Sequence, residues 1–340
     1  MRYSLITLIL LALCACNKVD RIEPILKTDV VPHDSDDPAI WLHPTDLSKS
    51  LIIGSDKDEK DGGVYAFNLQ GKRIDSLSQR NMQYPNNVDL AYGFILGSDT
   101  IDIAVSSERE ANAIRFYSLP DMEFIDNGGV QVFEGDKPAL RRPMGVAFHK
   151  NPQTGAFEVF VSRKVGPKEG YLGHYEIFSD STGILKSKEL RRLGAFSGGG
   201  GEIEAIAVDD EAQIVYYSDE ACCIRAYSTK VDQNEELYAF GKDKFTEDRE
   251  GIAIYNDGNN KKLIISNQQE LAFNIYAVNE NEEPKFEQIV YLSTHETDGC
   301  EVSTTPLPGF PNGIFVAMSD DRTFHLYDLQ EVLSGNVSKE

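Results

Sequence analysis

The chain has 340 residues, a formal net charge of −22, and 41% hydrophobic against 26% charged residues. That length and balance allow a sizeable packed core and exclude global disorder. The negative field excludes nucleic acid and anionic membrane surfaces as natural partners, and suits a protein that carries bound cations.

Residues 1–15 read as a lipoprotein signal peptide. Arg2 supplies the positive end, and residues 5–13 form an apolar run too short to span a bilayer. Leu13-Cys14-Ala15-Cys16 resembles a bacterial lipobox with Cys16 as the lipidated first residue of the mature chain; Cys14 fits less well behind bulky Leu13. A plain secretory peptide cut nearby is the alternative. The expectation is a protein of the bacterial cell envelope, extracytoplasmic, touching membrane only through that lipid. Residues 16–28 are expected to be a tether and 29–334 the folded domain. Cys222, Cys223 and Cys300 remain, an odd number with two adjacent, so buried free thiols are expected. No Cys/His cluster suggests zinc.

Asp34, Asp36 and Asp37 put three carboxylates in four residues, just ahead of an apolar strand predicted over 39–42. Like charges this close repel unless something positive sits between them. Pro38 keeps the acids out of a helix, and hard oxygen ligands on a fixed loop suit Ca²⁺. A solvated acidic turn is the plainer alternative.

From Asp36 onward the periodicity is two-fold, with strands predicted over 50–54 and 63–68 and a turn at 69–72. No long 3.6-residue apolar pattern appears, which predicts an all-β protein. Six similar segments begin near Ala39, Val88, Val146, Ile206, Ile252 and Glu301, 46 to 60 residues apart. Each carries a Tyr/Phe-type strand, such as Val64-Tyr65-Ala66-Phe67 and Phe324-His325-Leu326-Tyr327. Repeats of this size with about four short strands each predict a six-bladed β-propeller. The strand aromatics are read as core between blades.

In a propeller the innermost strand of each blade lines a channel, and the loops leading into these strands meet at one face. The acids recur there. Asp36 and Asp37 precede the first inner strand, Asn87 and Asp89 the second, Glu202 and Glu204 the fourth, Asp248 and Glu250 the fifth, and Asp298 the sixth. Carboxylates converging on one mouth repel strongly without metal, so several bound cations, read as Ca²⁺, are expected.

Several strings resemble one known family, the β-propeller phytases, calcium-dependent alkaline phytases, which are phosphatases acting on myo-inositol hexakisphosphate (phytate). They are DDPAIWLHP from Asp36, NNVDLAYGF from Asn86, IDIAVSSER from Ile101, EAIAVDDE from Glu204, YYSDE from Tyr216, DREGIAIY from Asp248, SNQ from Ser266 and TDG from Thr297. The resemblance implies metal ligands at Asp36, Asp37, Asn87, Asp89, Glu204, Glu220, Asp248, Glu250, Gln268 and Asp298. It implies phosphate-binding bases at Lys57, Arg109 and Lys164, and a 3-phytase type of reaction giving lower inositol phosphates. Glu204 or Glu250 would orient the attacking water, and the choice between them stays open. Where family members place a phosphate-contacting tyrosine this chain has Met144, with Arg141 and Arg142 just upstream as substitutes. Ala91 replaces a usual arginine, Ala205 a glycine, and the last blade is shortened after Met318 with an unusual Asp320-Asp321. The expected partner is a small polyphosphate, and the expected state a monomer.

Other signals carry less. Gly198–Gly201 is followed by Glu202, not Lys-Ser/Thr, so it is no P-loop. The Asp-rich stretch 56–62 misses EF-hand spacing by one residue. No histidine follows an arginine, and no cysteine has an arginine six residues on, which removes two other phosphatase motifs. A metal-dependent propeller lactonase, or a non-catalytic calcium-binding propeller, are the alternatives.

Overall fold

The computed structural model describes residues 20–280 and 282–335; the expected signal peptide and lipid-bearing Cys16 lie outside them. The described strands form six four-stranded antiparallel sheets. Blade 1 comprises Ser35–Trp41, Leu51–Asp56, Gly62–Asn68 and Gln79–Met82; blade 2 comprises Pro85–Leu96, Asp99–Glu108, Ala113–Leu119 and Val130–Gln131. Blade 3 is built from Pro143–Lys150, Phe157–Arg163, Glu169–Ser179 and Leu185–Ala195, and blade 4 from Ile206–Asp209, Ile214–Asp219, Cys223–Ser228 and Glu236–Phe240. Ile252–Asn256, Lys261–Asn267, Ala272–Val278 and Lys285–Tyr291 make blade 5. The six first strands touch in sequence around a ring, that of blade 6 meeting that of blade 1. This is the six-bladed propeller the repeats predict.

Blade 6 departs from expectation. Its first three strands are Cys300–Ser303, Ile314–Ser319 and Thr323–Asp328, but its fourth is Leu26–Lys27 from the other end of the chain. Leu26 lies opposite Leu326, Ile25 N donates to Leu326 O at 2.8 Å, and Thr28 N to Phe324 O at 2.9 Å. Residues expected in a tether up to Thr28 are therefore part of the fold from Ile22, which bridges to Leu292. The physical reason is the strand edge at Thr323–Asp328, which the described chain follows with a helix, Leu329–Ser334, and which must be covered. Deleting residues up to Thr28 is expected to lower the thermal midpoint by about 5 °C or more, read by calorimetry; an unchanged midpoint would contradict the closure.

The core is divided among the blade interfaces. One buried cluster packs blades 2 and 3 through Phe116, Phe148 and Val161, and another packs blades 6 and 1 through Phe67, Phe324 and Leu326. Four more fill the remaining junctions. The third-strand aromatics Tyr65, Phe116, Tyr175, Tyr227, Tyr276 and Tyr327 are all buried there, as predicted. A second correction concerns sulfur: Cys222 and Cys223 are joined in a disulfide at the turn between two strands of blade 4, and among the described residues only Cys300 is a free buried thiol.

Candidate active site at the channel mouth

The first strands of blades 1, 2 and 3 start with the same irregularity. Pairing slips between Ser35 and Pro38, between Pro85 and Val88, and between Pro143 and Val146. A bulge re-aims side chains that a regular strand would alternate. In blade 1 it separates Asp36, directed at the rim cluster, from Asp37, which lines the central channel. In blade 2 it does the same for Asn86 and Asn87.

Close approach of blade to blade depends on glycine at two of these junctions. A Cβ on Gly145 would fall 1.8 Å from Glu204 O, and one on Gly251 2.4 Å from Asp298 O. No larger residue fits at either position, and in each case the neighbour is the backbone of an acid in the next blade.

At the rim, Lys57 Nζ pairs with Asp36 Oδ1 at 2.7 Å and Asp298 Oδ2 at 2.8 Å. Asn86 Nδ2 donates to Asp36 Oδ2 at 3.2 Å and Glu204 Oε1 at 3.4 Å. Gln268 Nε2 donates to Asp298 Oδ1 at 2.7 Å. Glu250 and Asp298 hydrogen-bond each other through their carboxyls. Ligand oxygens of Glu220, Asp248 and Glu250 lie within 4.8 Å of one another. Six carboxylates from blades 1, 4, 5 and 6 thus form one chain: Asp36, Asp298 and Glu204 surround Lys57, with Arg109 near Glu204, and Glu250 joins them to Glu220 and Asp248.

Electrostatics follow from that crowding. Burial would depress the Lys57 ammonium, but Asp36, Asp298 and Glu204 outweigh it and hold it above the ordinary lysine value. Burial first, then Asp36, pushes Glu204 well above the carboxylate range. Burial lifts Asp298 to about 6 despite Lys57, and Glu220 to about 7. Glu250, buried and beside Glu204 and Asp298, is pushed up to about 11. Arg109 is buried and makes no ion pair among the described residues; its Nε has no hydrogen-bond partner, and its guanidinium stacks 3.9 Å over the Tyr84 ring. An unpaired buried guanidinium is a ready receptor for an anion.

Deeper in, Asp37, Asn87, Asp89, Glu250 and Glu301 line a channel cavity of about 220 Å³. Asp37 Oδ2 accepts from Val88 N at 2.9 Å and Asp89 Oδ2 from Phe148 N at 2.7 Å, so each acid is tied to the next blade. Burial raises Asp89 to about 7, and burial with Asp89 raises Glu301 to about 8.

The sequence-predicted ligands therefore split into a rim group and a channel group, with Glu250 in both. Of the predicted bases, Lys57 and Arg109 stand in the rim cluster. Lys164 pairs with Glu202, and half-exposed Arg142 pairs with Glu110 at 2.8 Å, the two linked by Lys164 N donating to Arg142 O at 2.8 Å. Sequence reasoning missed Asn86, Gln269 and Glu301. Gln269 Nε2 donates to Asp248 Oδ2 and to Gln268 Oε1, at 2.8 and 2.7 Å. Glu301 carries the same signal as the others, an acid beside an inner strand.

The donor set is all oxygen, which fits a hard cation such as Ca²⁺. The Asn87 amide oxygen supports that fit, being buried, without a hydrogen-bond partner, and part of a residue lining the cavity.

Fold and site together define a β-propeller whose channel mouth gathers oxygen ligands around two cationic side chains. The model of the phytase family matches residues 9–328. The chain belongs to that family, and is a phosphoric monoester hydrolase. It is 28% identical over 306 residues to a 3-phytase of Bacillus subtilis (strain 168), covering 84% of this chain and 75% of that protein. Among solved structures it resembles a luciferin-regenerating enzyme at TM-score 0.52, with 14% identity over 88% of this chain and 93% of the other. A protein from Lactobacillus plantarum matches at TM-score 0.55, again with 14% identity, over 88% of this chain and 82% of its own. These two likenesses concern the fold.

Proposed function

We propose that this enzyme hydrolyses phosphomonoesters of phytate to lower inositol phosphates and free phosphate, and that it depends on calcium held by the rim and channel acids. The observation that carries this reading is the rim itself, where six carboxylates crowd together, Lys57 pairs with two of them, and buried Arg109 is left unpaired. Asp36, Glu204, Glu220, Asp248, Glu250, Gln268 and Asp298 would hold ions at the rim, and Asp37, Asn87 and Asp89 would do so in the channel. Calcium bound there would supply positive charge to the phosphoryl oxygens and acidify a bound water.

The chain's own residues do the rest. Arg109 and Lys57 receive the non-bridging oxygens and stabilise the charge that builds on them. Glu204 or Glu250 orients the attacking water and takes its proton. Lys164 and Arg142, on one face of the mouth, receive further phosphates of the same substrate once they leave Glu202 and Glu110. Buried Met144, where relatives of this kind place tyrosine, takes no part. The protein works as a monomer, anchored outside the cytoplasm by lipid on Cys16.

Mature protein incubated with phytate is expected to release phosphate with calcium present and to stop when a chelator is added. No release with calcium present would contradict the reading. A propeller lactonase gives Lys57 and Arg109 nothing to do, and that is why the phosphatase reading is preferred.

A further inference from the structure

The second strands of blades 3, 4 and 5 end alike. Ser162, Ser218 and Ser266 follow Val161, Tyr217 and Ile265, and each serine is fully buried. Each hydroxyl donates across the blade boundary to a backbone carbonyl: Ser162 to Ile203 O at 2.5 Å, Ser218 to Arg249 O, and Ser266 to Thr297 O at 2.6 Å. The acceptors are the residues immediately before Glu204, Glu250 and Asp298.

Ser162 also accepts from Gly145 N of its own blade at 2.8 Å, and the corresponding serines of blades 1 and 2 make only that kind of bond. Ser55 exchanges hydrogen bonds with Asp37 of its own blade, and Ser107 Oγ accepts from Asn86 N of its own blade. The three cross-blade bonds fall at the boundaries across which Glu204, Glu250 and Asp298 arrive, while blade 3, which follows blade 2, brings no acid to the mouth.

We propose that Ser162, Ser218 and Ser266 are positioning residues, each fixing the peptide that carries the neighbouring blade's site acid. When ionised to hold a cation, Glu204, Glu250 and Asp298 repel one another, and an unsecured loop would relax outward to separate them. A hydroxyl bond to the preceding carbonyl fixes the acid's Cα while leaving the carboxylate free for ligand. Small displacements of such groups have large effects on binding and rate. This proposal rests on the calcium reading above only for its first readout.

Ser162→Ala, Ser218→Ala and Ser266→Ala, with Ser106→Ala as control, test it. Ser106 is equally buried in blade 2, but its hydroxyl meets Tyr117 at 2.7 Å within the blade and touches no site loop. Each of the three variants is expected to raise the half-saturating calcium concentration about tenfold, with kcat at saturating calcium kept within about threefold. Ser106→Ala is expected to lower the thermal midpoint comparably without moving calcium affinity. Calcium affinity unchanged in all four variants would overturn the proposal and leave only packing. If the wild-type protein binds no calcium, the calcium reading falls, and kcat/KM for phosphate release judges the serines. A loss of about tenfold or more in the three variants, absent in the control, then upholds them; equal values sink them.

Discussion

Glu204→Gln is expected to cut turnover by about 10³-fold or more while leaving the metal-free protein as stable as before, or more so. Glu204 is buried against Asp36 and Asp298, and burial and those charges hold its pKa well above the carboxylate range. In the metal-free fold the side chain is tolerated only by holding a proton that it would otherwise release, a cost that the neutral amide avoids. Glutamine keeps the volume and an oxygen for Asn86 Nδ2, so no cavity opens. What is lost is a charged ligand and a base. Phosphate release at saturating calcium gives kcat, and calorimetry with chelator present gives the thermal midpoint. Unchanged kcat removes Glu204 from the reaction.

The metal-free protein is expected to lose stability steadily as pH rises from about 5 to about 8. Carboxylates in the unfolded chain titrate near 4, but burial lifts Asp298 to about 6, Glu220 and Asp89 to about 7, and Glu301 to about 8. Between those limits the folded state holds protons that the unfolded state has released, so raising pH favours unfolding. Calcium takes the place of those protons, and in its presence the slope is expected to vanish or reverse. Denaturant midpoints measured against pH, with chelator and with calcium, test this. Metal-free stability that is flat or rises across the window would contradict the raised carboxyl values.

The propeller was legible because its evidence is repeated. Six spaced strand groups with aromatic third strands admit few other architectures. Most of the acids were legible for the same reason, since they sit beside the first strand of their own repeats; Glu220, which follows a second strand, was named only through the family resemblance. Their division was not. Asp36 and Asp37 are neighbours in sequence yet serve the rim and the channel, because a bulge turns the backbone between Ser35 and Pro38. Nothing in residue type announces that bulge. The blade-closing strand was hidden because Leu26–Lys27 contributes only two residues and takes its order from the uncovered edge of blade 6. Residues such as Asn86 and Gln269 act by bridging acids from distant segments, and that pairing exists only once the ring has closed. The Cys222–Cys223 bridge went against the rarity of adjacent pairs, and composition offered no signal for it.

What draws a polyanion to so acidic a protein is best tested by titrating phytate into the protein calorimetrically, once with chelator and once with calcium. Saturable binding only in the calcium titration is the predicted result, since the ions and not the protein's own charge would attract the phosphates. Equally tight binding in chelator would contradict it.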